Sequence, residues 1–90
     1  MNKIRRKSLN ELIERLEALK DEIETISSDL EGFKYEEEEY RDNMPENLTG
    51  SARYEAADNA ISEMEYALSS LEEVSDSING AIEYIGNATE

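Results

Sequence analysis

The sequence predicts an all-α protein: an antiparallel two-helix coiled-coil hairpin that dimerises into a four-helix bundle. Three observations carry this expectation. Apolar residues recur at alternating intervals of three and four along two long stretches. The segment DNMPENLTGS, Asp42 to Ser51, separates those stretches and is rich in turn formers. The composition is 36% charged and 38% hydrophobic, with one Phe and no Trp, which leaves too little apolar bulk for a thick globular core.

In the first helix, predicted over about 3–42, positions a and d of the heptad are Leu9, Leu12, Leu16, Leu19, Ile23, Ile26, Leu30, Phe33, Glu37 and Tyr40. Only Glu37 breaks the apolar rule. Gly32 falls at an outward position, so the helix is expected to run through it at a cost of about 1 kcal/mol relative to Ala. The loop, 43–50, follows from Pro45, which disfavours helical geometry at Met44, and from Asn43, Asn47 and Gly50. Thr49 or Ser51 is placed to cap the second helix, and Glu55 lies in its first turn near the positive end of the dipole. The second helix, predicted over about 51–86, repeats the alternation with Tyr54, Ala57, Ile61, Met64, Leu68, Leu71, Ser75, Ile78, Ile82 and Ile85. Gly86 and Asn87 suggest a C-terminal cap.

A short linker makes antiparallel neighbours of the two helices. Matching residues whose numbers add to 94 sets every a position against a d position, from Tyr40 with Tyr54 to Leu9 with Ile85. In this register Lys34 comes near Asp58, and Lys20 near Glu72, on one flank. Tyr40 and Tyr54 are expected to close the seam beside the loop, and Tyr35, Tyr66 and Tyr84 to point outward.

The second helix also carries Ala60, Ala67, Val74 and Ala81 at successive g positions, opposite Arg15, Glu22, Asp29 and Glu36 of the first. This third apolar row is more than a two-helix contact requires. One reading is a docking stripe for a second hairpin or a partner's helix; the other is that Ala favours helix formation at a half-buried boundary.

Net charge is −14, which disfavours direct nucleic-acid binding and anionic membranes. The distribution is uneven: the first seven residues are +4, residues 8–90 are −18, and no basic residue follows Arg53. The basic start leads into SLNELIERLEALKDEIE, an amphipathic pattern and not a signal-peptide core, so a cytoplasmic protein is expected. The N-terminal charge is expected to be offset by Glu83, Glu90 and the chain carboxylate at the end of the second helix.

The acidic cluster around the loop, with Glu36, Glu38, Glu39, Asp42, Glu46 and Glu55, allows two readings. A solvated face is the plainer one. The sharper one is imitation of nucleic acid, in which the acidic surface occupies a basic groove. Consecutive Glu residues point around the helix axis and do not converge on one ion, so no metal is expected. The chain lacks Cys and His, which removes thiolate and imidazole chemistry, and its Ser and Thr residues have no base partner. No catalytic residue and no cofactor are predicted.

The string YRDNMPENLTGSARYEAADNAI, followed by ALSSLEEVSDSINGAIEYI, resembles a family of small acidic helical proteins of Firmicute bacteria, their phages and mobile elements. The likeness covers about residues 8–86, and NMPENLTGS is its most specific part. It implies a helical hairpin encoded on mobile DNA and transfers no functional residue. The expected function is therefore a non-enzymatic protein–protein interaction module, a homodimer with an unidentified protein partner. The alternatives are an acidic DNA mimic that inhibits a host defence or nucleic-acid enzyme, and a passive structural coiled coil.

Overall fold

The computed structural model describes all 90 residues, Met1–Glu90. It is all-α: α1 spans Lys3–Asp42, a single 3-10 turn spans Glu46–Leu48, and α2 spans Ala52–Ala88. Side-chain and loop chemistry account for each boundary. The Asn2 side-chain oxygen accepts the Arg5 backbone N–H at 2.7 Å and caps α1, which has no acidic residue in its first turn. Gly32 lies inside α1, as its heptad position requires.

Helix α1 ends where Asn43 donates to the Glu39 carbonyl at 3.0 Å and Met44 to the Arg41 carbonyl at 3.2 Å, one residue before Pro45. The loop then turns at Gly50, whose φ of 87° is the only positive value in the chain. Ser51 is the cap of α2: its Oγ accepts the Tyr54 N–H at 3.2 Å. The far end differs from expectation. Gly86 is not left-handed, and α2 continues to Ala88. The stop comes from Thr89, whose N–H and Oγ1 both donate to the Gly86 carbonyl, at 3.1 and 2.7 Å.

The chain divides into two units. Unit 1 comprises Met1–Thr25 with Leu71–Glu90, and unit 2 comprises Ile26–Ser70. In unit 2 the helices are antiparallel: Arg41 reaches Asp58 at 2.7 Å while Lys34 reaches Glu65 at 3.9 Å. Ala57 and Ile61 form its buried centre. In unit 1 the buried residue is Ile78, with Leu9, Leu16, Ile23, Leu71, Ile82 and Ile85 half-buried. No residue of α1 is fully buried in either unit.

Along α2 the a and d rows are the covered ones, as the heptad predicts. Along α1 the covered rows are a and e: Ile13, Lys20, Ser27, Lys34 and Arg41 are all half-buried. The d row stays open, with Leu12, Leu19, Ile26, Phe33 and Tyr40 exposing between 41% and 59% of their surface. Tyr54 keeps its seam position, whereas Tyr40 does not.

The flanking ion pairs explain part of this rotation. Side chains lean toward the N-terminus of their own helix, so in an antiparallel pair two long side chains meet from Cα positions farther apart than the backbone register suggests. Lys34 accordingly meets Glu65, one heptad beyond the expected Asp58, and Arg41 takes Asp58. The same offset sets Lys20 against the uncharged Asn79, and Lys20 pairs instead with Glu24 of its own helix at 3.8 Å. These e-row cations are half-buried, with Lys20, Lys34 and Arg41 exposing 30%, 18% and 23% of their side chains.

Candidate functional site

The most distinctive surface is the uncovered apolar row of α1. In unit 2 it presents Ile26, Phe33 and Tyr40; in unit 1 it presents Leu12 and Leu19. Large apolar groups at one heptad position, left open along a single helix, differ from the scattered exposed residues of an ordinary surface.

The g row of α2 borders this face in unit 2. Because the ion pairs join e row to e row, the opposite flank must join the d and g positions of α1 to the g positions of α2. Ala67 is exposed there and Ala60 half-buried. In unit 1 Val74 is 42% exposed and Ala81 half-buried. The stripe recognised from the sequence is thus a margin: its small side chains border the larger row, which sequence reasoning had assigned to the seam. A shallow apolar cleft of about 400 Å³ lies in unit 1, lined by Leu12, Arg15, Leu16, Leu19 and Ile85.

The acidic residues do not gather on one face. Glu36, Glu39, Asp42, Glu46 and Glu55 are exposed, and Glu38 is half-buried with Lys34 at 3.8 Å. Glu36 and Glu39, at positions g and c, are neighbours on one face of α1, whereas Glu38 at position b points away from them. No three acidic side chains come together as a metal-binding group. Arg41 is held above its ordinary value by hydrogen bonds to Asp42, at 3.0 Å, and Asp58. Lys3, Arg5, Arg6 and Lys7 make no ion pair, so the expected offset by Glu83 and Glu90 is not formed as direct contacts. Tyr35, Tyr66 and Tyr84 are exposed, and Tyr35 donates its hydroxyl to Glu31 at 3.2 Å. No helix is long and apolar enough to cross a membrane.

No protein family, curated protein or solved structure matches this chain.

Proposed function

We propose that the protein is a non-enzymatic interaction module that acts by burying the d row of α1, and that its first partner is a second copy, giving a four-helix bundle. The single observation that supports this most is the exposure of Leu12, Leu19, Ile26, Phe33 and Tyr40 beside a margin of small residues. A four-helix bundle is the ordinary way for paired helices to cover a third apolar row on each partner. The homodimer would be the platform for any further protein partner.

The test is association of the chain at micromolar concentration. Replacing Phe33 with Glu places a charge at the centre of the face and should abolish the dimer while helicity is retained. The double substitution Ala67→Glu and Val74→Glu tests the margin and should weaken association less. A wild-type chain that stays monomeric at high concentration removes the proposal.

A second reading, an acidic decoy for a basic nucleic-acid-binding groove, draws on unit 2, where 12 acidic residues face 3 basic ones. Any complex formed that way weakens steeply as salt rises, whereas apolar docking changes little.

A further inference from the structure

We infer that the unit 2 stretch of this face takes a cationic amphipathic helix from a partner protein; this rests on the reading above of the α1 d row as the docking face. The apolar part is Ile26, Phe33 and Tyr40, with Ala60 and Ala67 of α2 as its margin. Ile26 and Tyr40 lie about 21 Å apart along α1, the length of four helical turns. Large side chains at seven-residue spacing beside small ones suit a helix laid along the row.

Charge decides which helix. The two flanks of the unit 2 seam differ. One flank carries Lys34 and Arg41, both already paired with acids. The flank that holds the open row meets no cation until Arg53, at its loop end. Its acids are Asp29, Glu36, Glu37 and Glu63. Asp29 and Glu36 border the row at helical-neighbour spacing, and Glu63 borders Ala60 and Ala67 on α2. Glu37 is half-buried, four residues after Phe33 and three before Tyr40. None of these four acids has an ion partner. A helix with an apolar stripe between Lys or Arg residues covers Phe33 and supplies the missing cations in one step. A second copy offers an equally acidic rim, so a cationic helix competes for unit 2 with charge in its favour.

The probe is a synthetic helix of about 18 residues with Leu at positions a and d and Lys and Gln elsewhere. One control peptide replaces Lys with Glu; a second replaces Leu with Ser and keeps the charge. The Leu/Lys peptide should bind the intact chain at least about tenfold more tightly than either control. Equal binding of the Ser peptide overturns the inference, because charge alone then suffices. Location is read with two variants of equal net charge. Asp29→Lys with Glu36→Lys should weaken binding about tenfold, and Glu72→Lys with Glu73→Lys, exposed in unit 1, less than about threefold. Equal weakening overturns the site. Sedimentation equilibrium separates this inference from the dimer reading. One chain per peptide is expected in the complex. A dimer that ignores the peptide overturns the inference alone, and a monomer that binds it as described overturns the dimer alone. A monomer that does not bind it removes both.

Discussion

Helices α1 and α2 carry the same alternation of apolar residues but are covered differently. All three fully buried residues, Ala57, Ile61 and Ile78, lie on α2 and none on α1. Helix α2 turns its a and d rows inward. Helix α1 turns its a row inward together with a mixed e row, and leaves five d-row side chains in solvent. The difference teaches that a heptad pattern names the rows able to be buried, while the flanks decide which rows are. On α1 the e-row cations Lys34 and Arg41 find acidic partners on α2 and are themselves half-buried.

The contrast can be broken most severely at Ile61, which is 4% exposed. Ile61→Ala should destabilise the fold by about 2–5 kcal/mol, read by urea unfolding. Phe33→Ala, at a position 59% exposed, should cost the dilute monomer less than about 1 kcal/mol, and its effect should appear in association instead. Equal losses of stability at the two sites would contradict the assignment of rows.

Smaller effects sharpen the comparison at the helix ends and in the helix interior. Ser51→Ala removes the side-chain cap of α2 and should cost about 1 kcal/mol. Gly50→Ala should cost a similar amount, roughly 1–2 kcal/mol, because its φ of 87° is unfavourable for a side chain. In α1, Gly32→Ala should stabilise by about 1 kcal/mol, since a Cβ at that position meets nothing within 4 Å. Thermal unfolding reads all three.

The smallest effect concerns the e-row ion pairs. Arg41→Met removes the charge and keeps the aliphatic stem, and should change stability less than any of the substitutions above, with the difference shrinking further at high salt. Hydrogen bonds to Asp42 and Asp58 raise the Arg41 pKa above its ordinary value, so their contribution is present below the unfolded pKa and is lost only as pH rises through the still higher folded one. Stability should therefore show no titration of this group across the neutral range.

Much of the fold was legible in the residues. The alternation of three and four marked both helices, Pro45 and its turn-forming neighbours marked the break, and Ser51 was among the caps foreseen. The stop at Thr89 was not, because Gly86 has the chemistry of a C-cap without the left-handed conformation that would make it one. The cap at Asn2 was also missed, although Asn is among the residues preferred at that position. The face itself was half legible. Ala60, Ala67, Val74 and Ala81 stood out in the sequence as an extra apolar row on α2, but the larger side chains that stay exposed on α1 had been counted as core. Two features carried that information: Ile13 at an e position, and acids at e positions of α2 one heptad beyond the apolar register. They become readable only when the lean of each side chain toward its helix N-terminus is included.

The central claim is that α1 leaves one apolar row free and that this row joins two copies. Sedimentation equilibrium of the intact chain beside Phe33→Glu, with circular dichroism on both, tests it most directly. The account predicts twice the 10.3 kDa chain mass for the intact protein, and a single chain with undiminished helicity for the variant. An intact protein that remains a single chain at every concentration, or a variant that dimerises as well as the intact protein, would contradict it.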